Sequence, residues 1–390
     1  MEPLISRMQA VQSPIIPVVG ELIRNNPGTI SLGQGVVSYS PPPEAIELLP
    51  KFLSDSNNHL YQPVEGIPLL LTALKAKLEA INSIEIINGE NNIVVTSGGN
   101  MAFMNAVLAI TSVGDEIIIN TPYYFNHEMA IVMAGCRPVL VKTDENYQLR
   151  PHAIARAITP KTRAVLTVSP NNPTGVVYSE DALRQVNQIC RERGIYHISD
   201  EAYEYFTYNG VKHVSPAAFV GSRDYTISLY SFSKAYGFAS WRIGYMVIPE
   251  HLLVAVKKVQ DTILICPPVV SQYAAFGALQ AKEDFLKNHI EAIAKVREVV
   301  FSSLNRLQDI CTIIPADGAF YFFVKVHTDI NDFELTKRLI QEHQVAVIPG
   351  HTFGMDDGCY LRVACGALQQ DTASEGIERL VKGLQSIITT

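Results

Sequence analysis

One lysine stands out among the residues whose types and spacing could do chemistry. Lys234 lies in the run SFSKAYG at 231–237, among small, hydroxylic and aromatic neighbours and without a second charge. A lysine that is partly removed from water has a lowered pKa, and its neutral amine is a nucleophile for carbonyl carbons. The sequence therefore predicts that Lys234 can form a Schiff base.

A Schiff-base lysine implies a carbonyl cofactor, and pyridoxal phosphate also requires a phosphate cup and an acid that faces its ring nitrogen. Gly98 and Gly99 open a predicted helix, whose free N–H groups and positive dipole end favour an anion. Asp200 is placed to keep the ring nitrogen protonated, which makes the ring an electron sink. Hydroxyl and guanidinium donors for the phosphate are available from Ser231, Ser233 and Arg242.

The elements that must position these residues follow from the hydrophobic pattern. Seven short β-rich runs alternate with helical patterns, at 93–96, 116–120, 138–141, 164–169, 196–200, 226–232 and 243–248. This alternation predicts an α/β fold with a mostly parallel seven-stranded sheet covered on both faces. Ligands of such sheets bind beyond the carboxyl ends of the strands. The segments that directly follow the strands are therefore expected to form the site.

Four polar segments follow strands of this predicted sheet: SGGN at 97–100, PNNPTG at 170–175, DEAY at 200–203 and SK at 233–234. Taken singly, each has an ordinary explanation as a turn, a helix cap or a solvated side chain. Together they bring an amide, an acid, a phenol, an amine and a glycine turn to one edge of the sheet.

The remainder of the chain predicts two further parts. A long helical stretch from about 250 to 307 is followed by strands at 319–326, 345–348 and 360–364 and by helices at 332–343 and the C-terminus, which indicates a smaller α+β domain. The first 45 residues are rich in Pro and Gly and predict an arm or loops rather than a core. We expect an arm over 1–45 that packs on the small domain or a partner subunit, a large cofactor-binding domain over 46–275 and a small domain over 276–390.

Composition excludes several classes of protein. Of the 390 residues, 47% are apolar and only 18% charged, and 31 basic against 38 acidic residues give a net charge of −7, which disfavours nucleic acid as a partner. No apolar run is long enough to cross a membrane, and a cytoplasmic location is expected. The six cysteines form no C-x-x-C pair and the ten histidines no H-E-x-x-H, so we expect free thiols and no metal.

With these motifs in place, the sequence closely resembles the class I/II aminotransferases, pyridoxal-phosphate enzymes of fold type I. The resemblance covers nearly the whole chain, and nine landmarks stand in family order. They are Gly35, Tyr61 with Gly66, SGGN at 97–100, PYY at 122–124, NNPTG at 171–175, DEAY at 200–203, SFSK at 231–234, Arg242 and LRV at 361–363.

The resemblance implies roles for individual residues around the cofactor. Lys234 would carry the cofactor as a Schiff base and then move the proton between the substrate Cα and the cofactor, and Asp200 would pair with the ring nitrogen. Asn172 and Tyr203 would hydrogen-bond the 3-oxygen of the ring. Tyr124 would stack on the ring, although an ordinary core tyrosine is the alternative. The phosphate would be surrounded by Gly98, Gly99, Asn100, Ser231, Ser233 and Arg242.

The resemblance also implies the substrates and the assembly. Arg362 would bind the α-carboxylate of the substrate through both arms of its guanidinium, helped by Asn172 and the Gly35 backbone. Tyr61 would reach the phosphate of the neighbouring subunit, so the enzyme would be a homodimer. It would exchange an amino group between an L-amino acid and a 2-oxo acid by a ping-pong route.

Substrate preference is where the sequence departs from the dicarboxylate enzymes that it resembles. Those of the bacterial subgroup have a lysine for the distal carboxylate where this chain has Asn100, and another branch uses an arginine between the domains, whereas no arginine lies between Arg242 and Arg297. We therefore expect neutral or aromatic side chains to be favoured, with Tyr39 and Tyr123 as pocket walls. A cation from the arm or the partner, Arg7, Arg24 or Lys51, is the alternative.

Other functions were weighed against this one. Ser231-x-x-Lys234 is formally the S-x-x-K of penicillin-binding proteins, but no S-D-N or K-T-G occurs in the chain. A non-catalytic relative would be expected to lack Lys234 or Asp200. An aspartate aminotransferase, and a β-lyase acting on cysteine conjugates or cystathionine with the same cofactor, remain open alternatives.

Overall fold

The computed structural model describes residues 6–388, so residues 1–5 of the predicted arm and residues 389–390 of the predicted small domain lie outside the described residues. The strands are β1 (Ile30–Ser31), β2 (Asn91–Thr96), β3 (Glu116–Thr121), β4 (Arg137–Lys142), β5 (Thr162–Val168), β6 (Tyr196–Asp200), β7 (Thr226–Ser231), β8 (Gly244–Pro249), β9 (Cys311–Ile313), β10 (Tyr321–Val326), β11 (Val345–Ala346), β12 (Ile348–Pro349) and β13 (Cys359–Ala364).

The helices surround these strands. They are α1 (Ile15–Asn25), α2 (Pro43–Glu47), α3 (Leu49–Ser54), α4 (Pro68–Lys77), α5 (Gly99–Ile110), α6 (Phe125–Met133), α7 (Pro151–Ala157), α8 (Glu180–Arg193), α9 (Phe232–Ala235), α10 (Leu253–Leu264), α11 (Val269–Leu279), α12 (Glu283–Leu304), α13 (Asp332–His343) and α14 (Gln370–Ile388).

The predicted seven-stranded sheet is confirmed, with strand order β2-β8-β7-β6-β5-β3-β4. Its strands are parallel except β8, which runs antiparallel to both of its neighbours. Alternate residues of the strands enter different apolar clusters, such as Val165 on one face and Leu166 on the other. Both faces are therefore covered by helices, which is why the strands read as nearly continuous apolar runs.

Local signals set the ends of α8 as the sequence indicates. The Ser179 hydroxyl accepts a hydrogen bond from the Ala182 backbone N–H (3.2 Å), and Gly194 ends the helix with φ +64°. These are the usual N-cap and C-terminal glycine arrangements. The helix is thereby fixed between β5 and β6, the strands that present Asn172 and Asp200.

A second sheet, β12-β13-β10-β9, is antiparallel throughout and packs with α12, α13 and α14. Arg362 lies in β13, one of its two inner strands, opposite Phe323 of β10 and Ile348 of β12. This sheet therefore brings a buried cation toward the large sheet.

Two segments differ from the pattern that the sequence predicts. The Pro-rich N-terminal segment contains the 11-residue helix α1, which buries Ile15 and Val19, and β1 pairs in parallel with β11. The predicted helical stretch after 250 consists of three helices, α10, α11 and α12, and Pro267 and Pro268 lie between the first two. The limits of the arm and of the two domains remain predictions.

Residues 6–388, apart from the side chain of Glu283, contain neither a membrane-spanning helix nor a metal-binding cluster. None of the helices in that range is both long and apolar enough to cross a membrane. No group of three or more His, Cys, Asp or Glu side chains there is arranged to hold a metal ion. The cytoplasmic location stays a prediction.

Candidate active site

A cavity of about 540 Å³ lies at the carboxyl ends of β5, β6 and β7. Apart from Gly98 and Tyr61, all residues predicted to bind the cofactor, the α-carboxylate or the reacting proton line it. Those that line it are Gly35, Gly99, Asn100, Tyr124, Asn172, Asp200, Tyr203, Ser231, Ser233, Lys234, Arg242 and Arg362. Residues that the sequence did not single out also line it: Ile16, Gln34, Val36, Phe125, Val168, Ala202 and Tyr321.

Lys234 reaches the cavity from α9, a four-residue helix that begins directly after β7. The Ser231 hydroxyl accepts a hydrogen bond from the Ser233 backbone N–H (3.2 Å), which turns the chain from strand to helix. The amine donates to the Gly35 carbonyl. Burial, with the positive charges of Arg362 and Arg242, lowers the pKa of Lys234 to about 8 against the opposing effect of Asp200. At neutral pH about one tenth of the amine is then neutral and nucleophilic.

The glycine turn after β2 faces Arg242. Gly98 adopts φ +83°, which favours glycine, and a Cβ at this position would lie 2.5 Å from Arg242 Nη2 and displace the guanidinium. Gly99 starts α5, whose first N–H groups have no partner within the helix. Although Gly98 does not line the cavity, the turn and the guanidinium together form a cup suited to an anion.

Asp200 ends β6 and is held on both oxygens. His127 Nε2 of α6 lies 3.0 Å from Asp200 Oδ2, and the Ala202 backbone N–H donates to Oδ1 (3.0 Å). The imidazole is buried against the ring of Phe103, with 4.4 Å between ring centroids. His127 was not predicted, since a histidine inside an apolar helix gives no sign of its partner.

Arg362 is 2% exposed and is held by neutral acceptors. Nη1 donates to Asn172 Oδ1 (2.9 Å) and Nη2 to the Gly33 carbonyl (2.7 Å), while Nε has no hydrogen-bond partner among residues 6–388. None of the carboxylates whose side chains the structure describes forms an ion pair with it. A buried guanidinium without an anion is costly, so the site is built to receive one.

Two tyrosines meet across the cavity. The Tyr203 hydroxyl, after β6, lies 2.6 Å from that of Tyr321, the first residue of β10. Tyr124 lies on the same cavity, and its hydroxyl accepts a hydrogen bond from Asn126 Nδ2 (2.7 Å). Tyr321 was missed because it belongs to the second sheet, more than 100 residues along the chain.

Several aromatic and basic residues lie outside this cavity. Tyr61 is 78% exposed. Tyr39 does not line this cavity: its hydroxyl donates a hydrogen bond shared between the backbone carbonyls of Lys234 and Ala235 (3.1 Å each), and its ring stacks on His289. Its role as a pocket wall stays a prediction. Tyr123 packs against Gly354 instead. The basic side chains proposed as alternatives, Arg7, Arg24 and Lys51, do not line the cavity.

Comparison with known proteins identifies the family. The profile described as aminotransferase class I and II matches residues 27–380. The chain belongs to the class I and II aminotransferases. An aromatic aminotransferase of Arabidopsis thaliana is 33% identical over 98% of this chain and 96% of its own length. A probable aspartate/prephenate aminotransferase of Aquifex aeolicus is 33% identical over 94% of each chain.

Solved structures show the same architecture. A Thermus thermophilus aspartate aminotransferase with maleate superimposes with a TM-score of 0.88 at 29% identity, covering 98% of this chain and all of that one. An aromatic aminotransferase from Pyrococcus horikoshii gives 0.86 at 29% identity, covering 95% and 99%. The predicted aminotransferase fold and amino-group transfer are thus confirmed, and hydrolase chemistry is not supported.

Proposed function

We propose that this aminotransferase uses pyridoxal phosphate bound through Lys234 and acts on L-amino acids with neutral, especially aromatic, side chains. The observation that carries the proposal is the Lys234 amine, whose pKa burial lowers to about 8, in one cavity with Arg242 and Asp200. The residues fit the cofactor: a nucleophilic amine, an acid for the ring nitrogen, and an anion cup that a Cβ at Gly98 would fill.

When bound, pyridoxal phosphate withdraws electrons from the substrate Cα. The protein supplies the proton transfers and the electrostatics around it. Once the substrate amine has displaced it, Lys234 would be the base that moves the Cα proton, since a neutral amine can serve as a base. Asp200 keeps a proton on the ring nitrogen, and His127 fixes the carboxylate through Oδ2. The phosphate is held by the turn at Gly98 and Gly99, with Asn100, Ser231, Ser233 and Arg242.

Asn172 links the cofactor to the substrate. Its Oδ1 accepts from Arg362, so its amide nitrogen is the group that donates to the 3-oxygen of the cofactor, together with Tyr203. Arg362 binds the substrate α-carboxylate, and the Gly35 backbone lies beside it in the cavity. Because one side chain touches both molecules, Asn172 fixes the distance between cofactor and carboxylate.

The cavity lining favours neutral substrate side chains. Within the described part of the chain, its cations are Lys234, Arg242 and Arg362, and the proposed mechanism engages all three. Its remaining surface includes apolar groups, among them Ile16 and Phe125. A distal carboxylate would enter without a partner, and burying an unpaired charge is costly.

Half-reaction kinetics test this preference. The specificity constants for methionine, leucine and phenylalanine should each exceed that for aspartate, because the pocket offers no counter-ion to the side-chain carboxylate of aspartate. Stopped-flow spectra of the cofactor during the first half-reaction supply the constants, and phenylalanine against aspartate is the decisive pair. A larger specificity constant for aspartate would contradict the preference for neutral side chains. It would instead support aspartate as the substrate, as in the proteins from Pyrococcus abyssi and Bacillus subtilis that are named aspartate aminotransferases.

We also propose that the protein is a homodimer in which Tyr61 of each subunit completes the phosphate site of the other. Tyr61 and its neighbours Leu53 and Leu60 are each more than 60% exposed, although they are large and apolar, and Ile263 is about half exposed. Large apolar side chains that are exposed side by side, as Leu60 and Tyr61 are in the sequence, favour a protein interface. A second copy of this chain is the partner that the resemblance implies.

Subunit mixing tests the role of Tyr61. Tyr61→Ala and Lys234→Ala homodimers should each have low activity, and exchange between them should restore part of it. In the heterodimer, one site combines Lys234 of the Tyr61→Ala chain with Tyr61 of the Lys234→Ala chain, so both residues of that site are intact. Activity is followed after exchange, with native mass spectrometry to count heterodimers. Heterodimers without restored activity would place Tyr61 in its own subunit's site or outside any site.

A further inference from the structure

A pair of phenols joins the two sheets inside the cavity. Tyr203 follows β6 of the large sheet and Tyr321 begins β10 of the small one, and their hydroxyl oxygens are 2.6 Å apart. The rings meet edge to face, with centroids 5.5 Å apart and planes at 77°. Both side chains are buried and line the cavity. The hydrogen bond is therefore shielded from water and sensitive to its neighbours.

The number of protons on the two hydroxyls decides how many hydrogen bonds the pair can donate to other groups. Burial raises the pKa of Tyr321 to about 12 and that of Tyr203 well above its usual value, so both are neutral phenols at neutral pH. Two neutral phenols carry two protons, but only one can lie between their oxygens. The second proton must point to another acceptor.

The surroundings decide which phenol carries the outer proton. The Tyr321 hydroxyl packs against Gly35, where a Cβ would lie 2.5 Å from it, and Arg362 Cζ lies 4.7 Å from the centre of its ring. A guanidinium only donates, so it offers the Tyr321 hydroxyl no acceptor. The Tyr203 ring instead faces the Lys234 amine, at 5.6 Å. Tyr203 is thus the phenol on the side of the proposed cofactor.

We propose that Tyr321 is a positioning residue, which donates its proton to the Tyr203 oxygen so that Tyr203 donates its own proton to the 3-oxygen of the cofactor. This inference rests on the proposed function, because the final acceptor belongs to pyridoxal phosphate. A phenol that accepts one hydrogen bond is a stronger donor in the next, since bonds in a chain polarise one another. Tyr321 thereby acts on the cofactor through Tyr203.

The pH titration of the cofactor's visible absorption in the holoenzyme reports this chain. A hydrogen bond donated to the 3-oxygen draws negative charge away from the neighbouring Lys234 nitrogen and lowers its pKa. The other groups that act on Tyr203 and Lys234 are Tyr124, Asp200, Arg242 and Arg362, and all of them remain in a Tyr321→Phe variant. A change in midpoint between the two proteins then reports the loss of one hydroxyl.

The Tyr321→Phe holoenzyme should titrate at a midpoint about 0.3 to 1 pH unit higher than wild type, the size of one neutral hydrogen bond. Tyr203→Phe should raise the midpoint further, and Tyr203→Phe/Tyr321→Phe should match Tyr203→Phe alone, because the effect passes through Tyr203. Tyr208→Phe is the control: it removes a buried hydroxyl that has no hydrogen-bond partner among residues 6–388 and lies outside this cavity, so its midpoint should equal that of wild type.

Gly35→Ala provides a second route, since its Cβ would displace the Tyr321 hydroxyl and should shift the midpoint in the same direction. An unchanged midpoint in Tyr321→Phe, or additive effects in the double variant, would overturn the inference that Tyr321 acts through Tyr203. A lowered midpoint in Tyr321→Phe would also overturn it and would mean that Tyr203 donates to Tyr321. A wild-type protein that binds no pyridoxal phosphate would instead contradict the proposed function.

Discussion

Asp200→Asn should bind pyridoxal phosphate on Lys234 yet transfer amino groups at least about 1,000-fold more slowly, about 4 kcal/mol in the barrier. An amide N–H donates to an unprotonated ring nitrogen, whereas the carboxylate holds a proton there. Without that proton the ring accepts electrons poorly. Asparagine keeps the shape of Asp200 and retains one oxygen for His127, but it gives up the hydrogen bond that Oδ1 accepts from the Ala202 N–H. Single-turnover kinetics with phenylalanine measure the loss.

A matched control exists elsewhere in the chain. Asp332 is buried and pairs with His351 through Nδ1 (2.8 Å), as Asp200 pairs with His127, but it does not line the cavity. Asp332→Asn should change thermal stability and leave the single-turnover rate near that of wild type. Near-normal turnover in Asp200→Asn would show that Asp200 serves only as a cap of the turn at 200–203.

Arg362→Ala should lower the specificity constant for every amino acid by a similar factor. Two charge-assisted hydrogen bonds to the α-carboxylate, at about 1.5–3 kcal/mol each, correspond to a loss of about 10²- to 10⁴-fold. The factor is common to all substrates because each of them has the α-carboxylate. Steady-state kinetics with methionine, leucine and phenylalanine give the three factors.

Arg362→Lys separates charge from geometry. It keeps the cation but loses the planar fork, so part of the loss should return. Removal of the side chain also leaves Asn172 Oδ1 and the Gly33 carbonyl without their donor, and thermal unfolding of both variants measures that structural cost. A loss confined to one class of side chain would place Arg362 at the side-chain pocket instead of the carboxylate.

The sequence was sufficient to predict the residues that end consecutive strands. Asp200 and Lys234 follow β6 and β7, which are parallel neighbours, so their strand positions alone place them at the same edge of the sheet. The glycine turn after β2 was predictable for the same reason, and Gly98 has the positive φ that its residue type suggests. Local signals and strand order therefore predict the side of the cavity that is formed by the carboxyl ends of the large sheet.

The other side of the cavity depends on contacts between distant elements. Tyr321 reaches Tyr203 from another sheet, and His127 reaches Asp200 from α6, across 118 and 73 positions of the sequence. No spacing rule connects such residues, because the packing of the elements creates the contact. Tyr39 shows the opposite case. It lies close in sequence to Gly35, which lines the cavity, but its hydroxyl donates to the Lys234 backbone carbonyl from outside the cavity.

The covalent attachment point of the cofactor tests the account most directly. Borohydride reduction of the holoenzyme, followed by proteolysis and mass spectrometry, should place a phosphopyridoxyl group on Lys234. Lys77 is a built-in comparison, since it is also buried but its amine is paired with Glu204 (2.6 Å), and it should carry no label. A label on Lys77, Lys257, Lys258 or any other lysine, with Lys234 unmodified, would contradict the assignment of Lys234 and the mechanism built on it.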